Sequence, residues 1–276
     1  MSAQTPTIVI QPTRGPVPPR LTELWSYREL FSFLVWRDLK VRYAQTAIGA
    51  AWTVFQPLAM MIVYTFAFTK IARVSTGPVP YVLYALSGLA LWMFVSRSVA
   101  ISTSSLVNEI AIVTKTAAPR VLVPLAAISS NLVDFVITLA LFLFFDIAYG
   151  RFPDWRFVFV VPLLALTFAM TLGISLGLSA LNVRYRDVAQ ALPFLIQLWF
   201  FLSPVAFPVL AGGHAWEKYV LALNPLVGII VAFRWALLGT PMSTGLLLVA
   251  LVVTAVLFVA GLAHFSRVDR TIADDV

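Results

Sequence analysis

The sequence predicts an all-α integral membrane protein, and three observations carry that prediction. Of its 276 residues 61% are hydrophobic and only 11% are charged, where a soluble domain has about a quarter of its residues charged. Six apolar segments are each long enough to cross a hydrocarbon core of about 30 Å. The charges gather between those segments and in one amphipathic stretch near the start. A mean hydropathy of +0.92 leaves little chain for a soluble domain. With no cysteine, disulfides, Fe–S clusters and thiol nucleophiles are excluded. The two histidines, His214 and His264, lie far apart and outside any metal-ligand spacing, so no metal site is expected. The net charge of +7 fits a basic cytoplasmic face and anionic headgroups better than nucleic acid.

In chain order, residues 1–20 are rich in Pro, Thr and Gln and lack an apolar h-region. They are expected to be a disordered cytoplasmic tail rather than a signal peptide. Residues 21–45 repeat apolar side chains at helical spacing (Leu24, Tyr27, Phe31, Leu34) opposite Arg28, Glu29, Arg37, Asp38, Lys40 and Arg42. Ser26 and Glu29 fit a capping box. This stretch is too charged to span and is expected to lie in the membrane interface, with Trp25, Trp36 and Tyr43 at headgroup level.

The predicted spans are 47–70, 82–107, 121–149, 157–181, 189–211 and 242–264, within a transmembrane region of 46–265 followed by a tail, 266–276. Between the fifth and sixth spans, residues 212–241 hold apolar pieces too short to cross and return. They are broken by Asn224-Pro225 and Gly239-Thr240-Pro241. A re-entrant hairpin is the expected form, with its backbone satisfied by protein or a wet cavity. With the N-terminus inside, twelve Lys and Arg fall on the inner segments and six on the outer, so both termini are expected in the cytoplasm.

Several motifs lie inside spans. Gly173-Ile-Ser-Leu-Gly177 matches a nucleophile elbow, but that motif needs a strand–turn–helix. The same residues form a small-residue face for close helix packing, which is the expected role. An intramembrane serine protease pairing Ser175 with His264 is the competing possibility. Arg97 and Asp134 reach similar depths from the inner face and are expected to pair or to share one polar cavity. Asp146 is near the outer surface, where it can snorkel. Aromatics make up 13% of the chain and crowd the first and fifth spans. They either contact lipid or line a path on which sugar rings slide. The short inner connections 108–120 and 182–190 are charged, and Arg184, Arg186 and Asp187 can dock a partner or bind lipid phosphates. No G-x-x-x-x-G-K-[ST] occurs, so any ATPase must be another polypeptide.

The order of WRDLKVRYAQTAIGAAWTVFQP, SGLALWMFVSRSVAISTSSLVNE, KTAAPRVLVPL, LNVRYRDV, FLSPVAF and LNPLVGIIVAFRWALLG resembles the membrane permease of bacterial ABC exporters for cell-surface polysaccharides. That family includes O-antigen, capsule and teichoic acid exporters, and the resemblance runs over about residues 22–264. It departs in the proline-rich first twenty residues and in KTAAPR.

The resemblance implies a multi-pass inner-membrane homodimer with two copies of a P-loop ATPase, which would hold ATP and Mg. The substrate it implies is a glycan on undecaprenyl diphosphate or a similar carrier. Segment 203–240 resembles periplasmic gate helices, shaped by Pro204, Asn224, Pro225 and Arg234. Asn108, Glu109, Lys115 and Arg120 belong to a loop resembling the coupling helix, and Arg184, Arg186 and Asp187 to a second contact. Trp52, Phe55, Tyr64, Phe194, Trp199 and Phe200 would line the path. Arg37, Lys40 and Arg42 would face anionic lipid or the diphosphate at the inner gate. No catalytic residue is expected. An ABC permease for a drug or lipid is the alternative within the same architecture.

Overall fold

The computed structural model describes residues 21–44, 51–109, 118–207 and 222–269, and every regular element among them is helical. The tails, Gly49, Ala50, Lys115, His214 and Lys218 lie outside the described residues.

The amphipathic stretch is split at Tyr27 into α1 (Leu21–Ser26) and α2 (Arg28–Ala44). The first span is α3 (Ala51–Thr65), which runs through Pro57 and continues as a π-helical segment, Phe66–Ile71. Then follow α4 (Tyr81–Asn108), α5 (Leu122–Ala148) and, after a 3-10 segment at Trp155–Phe159, α6 (Val160–Arg184). Next come α7 (Asp187–Phe201), α8 (Pro225–Leu238) and α9 (Thr244–Val268).

Five stretches among the described residues are long and apolar enough to cross a membrane: Ala51–Ile71, Tyr81–Asn108, Leu122–Ala148, Trp155–Arg184 and Thr244–Val268. The expected fifth span, 189–211, is represented by α7, whose 15 residues extend about 22 Å. The helix stops because Pro204 has no N–H to donate and disfavours helix at the residue before it. Ser203 Oγ donates to the Trp199 carbonyl at 2.8 Å, satisfying one of the groups the helix end leaves open. The connection expected over 182–190 is shorter than its composition indicated. Helix α6 continues through Arg184, and α7 begins at Asp187, whose carboxylate suits a helix N-terminus. The last helix likewise runs past residue 266 to Val268.

Helix α4 forms the centre, packed against α5 and α6 and flanked by α3, α7 and α8. Its side chains from Leu83 to Trp92 are buried without a break. Three buried threonine hydroxyls are satisfied within their own helices: Thr103 donates to Val99 O, Thr167 to Leu163 O and Thr171 to Thr167 O, each at 2.7 Å.

Helices α6 and α9 pack closely through their glycines. Gly173 lies so near α9 that a Cβ there would stand 2.6 Å from the Phe258 Cα, and a Cβ at Gly261 would run into the Gly173 backbone. Gly177 is less crowded, since a Cβ there would stand 3.8 Å from the Gly261 Cα, an ordinary contact. The small-residue motif therefore packs helices. Ser175 Oγ is buried without a hydrogen-bond partner, and His264 is exposed, so these two form no nucleophile–base pair.

Helix α8 is 14 residues, about 21 Å, and cannot span alone. Its ends are defined by sequence: the Asn224 side chain accepts from Leu226 N at 3.1 Å, Pro225 occupies the first turn, and Gly239 follows the last turn at φ 68°. Its start lies beside the end of α7. Its end meets the α5–α6 connection, where Arg151 Nη2 donates to the Leu238 carbonyl at 2.9 Å. Asp146 does not snorkel; it is buried and pairs with Arg151 at 3.3 Å. On the opposite face, Arg120 ties the start of α5 to the carbonyl and carboxylate of Asp269, just past α9.

Candidate functional site

One buried carboxylate ties α2, α4 and α5 together. Arg97 lies 11 residues before the end of α4, and Asp134 lies 12 after the start of α5 (108 − 97 and 134 − 122). At about 1.5 Å per residue both sit some 16–18 Å in from the same face. Arg97 Nη1 donates to Asp134 Oδ2 at 2.6 Å. Arg42 Nη1 reaches the same oxygen at 2.8 Å, and the Tyr43 hydroxyl donates to Oδ1. Second nitrogens reach outward: Arg42 Nη2 to Ser130 Oγ at 3.2 Å, and Arg97 Nη2 to Gln56 Oε1 at 2.5 Å on α3. Burial first, and then the hydrogen bond to Asp134, hold the Tyr43 phenol above its ordinary value, which keeps it a donor.

Helix α2 reaches this cluster by climbing. Arg37 forks onto Glu109 just past α4, Nη1 to Oε2 at 2.9 Å and Nη2 to Oε1 at 2.7 Å, and also holds Asp38. Burial lowers the Arg37 pKa, but its hydrogen bonds to Asp38 and Glu109 outweigh this and raise it overall. Five residues further, about 7.5 Å along the helix, Arg42 meets Asp134. Helix α2 therefore leans along α5 from the loop mouth toward mid-depth. It leaves a cavity of about 300 Å³ between α2, α4 and α5, lined by Leu34, Arg37, Arg42, Ser105 and Glu109. Lys40, which lies over the Trp36 ring at 4.8 Å, lines a neighbouring crevice with Tyr43, Ala44 and Val133. Arg37 and Arg42 are thus not an open cationic face; each is held by carboxylates from distant elements.

The aromatic residues form a second zone on α3 and α7. Trp52 stacks on Phe55 at 5.3 Å, and both are exposed, as is Phe194. Tyr64 meets Phe200 at 5.6 Å between the two helices. Trp92 of α4 backs the face, 5.8 Å from Trp199 and 5.3 Å from Phe200. Tyr64, Trp199 and Phe200 are half-buried, whereas Trp52, Phe55 and Phe194 are exposed.

The third zone is the turn after α7. Arg234 is only 3% exposed and has no carboxylate partner among the described residues. Its nitrogens are taken by neutral acceptors: the Tyr84 hydroxyl and Pro204 O, both at 2.7 Å, and Val205 O at 2.6 Å. Its guanidinium lies 3.5 Å from the Tyr84 ring centre, a cation–π contact. Tyr81 adds a bond to Ala206 O at 2.5 Å. Asn224 closes the other side, accepting from Trp199 Nε1 at 3.0 Å and donating to Ser203 Oγ at 2.8 Å. Arg234, assigned from the sequence to the gate segment 203–240, is buried within it and binds the Pro204 and Val205 carbonyls, because backbone carbonyls at a broken helix need donors.

Arg184, Arg186 and Asp187 are exposed together at the α6–α7 connection, on the face that carries Asn108 and Glu109. Sequence spacing placed Arg97 beside Asp134, but it did not bring in Tyr43, Gln56, Ser130, Tyr81 or Tyr84. A faint signal existed in the lone Gln56 amide within an apolar run. No group of His, Cys, Asp or Glu among the described residues could hold a metal.

Comparison with known proteins places this architecture. The family described as ABC-2 type transporter matches residues 29–238. An O-antigen export system permease protein RfbA of Myxococcus xanthus is 35% identical over 215 residues, covering 77% of this chain and 81% of the relative. The protein of the same name in Klebsiella pneumoniae is 28% identical over 241 residues, 86% of this chain and 91% of the relative. A polysialic acid transport protein KpsM of Escherichia coli is 22% identical over 210 residues, covering 76% and 81%.

Proposed function

We propose, because this chain belongs to the ABC-2 type transporter family, that it is the permease subunit of an ATP-driven exporter of a lipid-linked polysaccharide. The observation that carries this reading is the near full-length similarity to permeases named for O-antigen export. The glycan rides on undecaprenyl diphosphate or a similar carrier. It crosses the bacterial inner membrane between two copies of this chain, past the aromatic face of Trp52, Phe55, Tyr64, Phe194, Trp199 and Phe200. Ring faces suit a sliding glycan, because sugar C–H faces pass over them while the hydroxyls stay wet.

ATP and Mg are held by a separate P-loop subunit, present in two copies. That subunit docks on Asn108, Glu109 and Arg120 with the rest of that loop, and on Arg184, Arg186 and Asp187. The chain crosses the membrane six times with both termini cytoplasmic, α7 belonging to the fifth crossing. The segment 203–240 is a re-entrant gate at the outer side. The half-length of α8 and the Asn224 cap at its start support that reading, since a helix starting at depth needs its first N–H groups satisfied.

The test is copurification. The affinity-tagged chain, extracted in mild detergent from its native membrane, should bring down a P-loop ATPase in equal amount. Substituting Glu at Arg184 and Arg186 should reduce recovery of that ATPase by at least about tenfold while leaving membrane insertion intact. Recovery of no ATPase at all would contradict the reading.

A further inference from the structure

The cluster at Asp134 contains two guanidiniums and one carboxylate, so it carries one excess positive charge at mid-depth. An excess charge in a low-dielectric region is costly unless an anion meets it. The cations are also the reachable members. The side chains of Arg42 and Arg97 are 22% and 26% exposed, whereas that of Asp134 is 8% exposed. Both guanidiniums and the Tyr43 hydroxyl point at one pair of oxygens, the arrangement in which arginine forks hold phosphate. Two hollows flank the cluster, the cavity lined by Arg37 and Arg42 and the crevice lined by Lys40 and Tyr43.

We propose that Asp134 is a resident counter-ion standing where a phosphate of the lipid diphosphate binds, and that the incoming diphosphate displaces it from Arg42 and Arg97. This rests on the exporter reading given above. A carboxylate brings one negative charge to the two guanidiniums; a diphosphate esterified at both ends brings two and can fork onto both. Loss of the Arg42–Asp134 bond would cut the tie between the end of α2 and α5. Binding and release of α2 are then linked, and each must favour the other by the same factor. Arg97 would thereby become a substrate-contacting residue, and Asp134 would keep the site closed while it is empty.

The experiment uses the full chain in phosphatidylcholine nanodiscs. The sequence has no cysteine, so Ala44→Cys and Val133→Cys place two unique spin labels across the α2–α5 crevice. Farnesyl diphosphate, a short prenyl diphosphate, should lengthen the label distance. Asp134→Asn should lower the half-saturating concentration roughly tenfold, and Arg97→Gln should abolish the response. A distance unmoved by saturating farnesyl diphosphate overturns the proposal whatever the variants do. So does an unchanged half-saturation in Asp134→Asn. If nanodiscs containing phosphatidylglycerol open the crevice equally without farnesyl diphosphate, the site belongs to ordinary anionic lipid and the substrate assignment fails. The labels report on the permease alone, so these outcomes are separate from failure of the exporter reading, which would show as absence of a copurifying ATPase.

Discussion

At the scale of single residues, the membrane interior places its few charges under the strictest terms, and Arg234 and Asp134 meet them differently. Arg234 is satisfied by carbonyls and a phenol, and what it stabilises is the broken backbone after α7. Arg234→Met keeps much of the volume but leaves the Pro204 and Val205 carbonyls without donors, at roughly 1–3 kcal/mol each. Its expected result is a clear drop in detergent melting temperature, with Arg234→Lys falling between the two because one ammonium cannot reach every acceptor. A melting temperature equal to wild type would remove the clamp.

The depth match of Arg97 and Asp134 was legible from counting residues along two spans. The arrival of Arg42 and Tyr43 was not, because it depends on how far α2 tilts, and tilt is set by packing rather than by composition. The buried position of Arg234 was equally hidden: an arginine in an apolar run reads the same whether it faces a gate or clamps a turn.

Among elements, helix boundaries followed sequence where capping or breaking residues stood. Asn224, Pro225 and Gly239 delimit α8, and the apolar runs ending near Asn108 and Ala148 set the long helices. The exception was the fifth apolar run, where hydrophobicity continued past the helix end. Hydropathy reports solubility in lipid, whereas the helix stops for backbone reasons at Ser203-Pro204.

Close packing of α6 on α9 gives a test at this scale. At Gly173 and Gly261 an added methyl meets backbone, which cannot move aside as a side chain can. Gly173→Ala and Gly261→Ala should each destabilise by about 1–3 kcal/mol, read as loss of thermal stability in detergent. Gly177→Ala should be nearly neutral, because the added methyl would stand 3.8 Å from the Gly261 Cα. Equal effects at all three positions would contradict the packing shown.

For the whole molecule, the helices divide into one half organised by the ion pairs around Asp134 and another organised by the contacts of α8 with the end of α7. Helix α4 runs through both. Arg37–Glu109 midway along α2 and Arg42–Asp134 near its end connect the start of the α4–α5 loop to the first span through Arg97 and Gln56. That continuity gives the proposed ATPase, docked at this loop, a physical route to the proposed aromatic path. The central claim is export of a polysaccharide, and deletion of this chain in its bacterial host tests it most directly. Surface polysaccharide, labelled on intact cells, should fall to background while lipid-linked glycan accumulates on the inner side. Restoring the wild-type chain should reverse both changes. Undiminished surface polysaccharide, with no internal accumulation, would contradict the account.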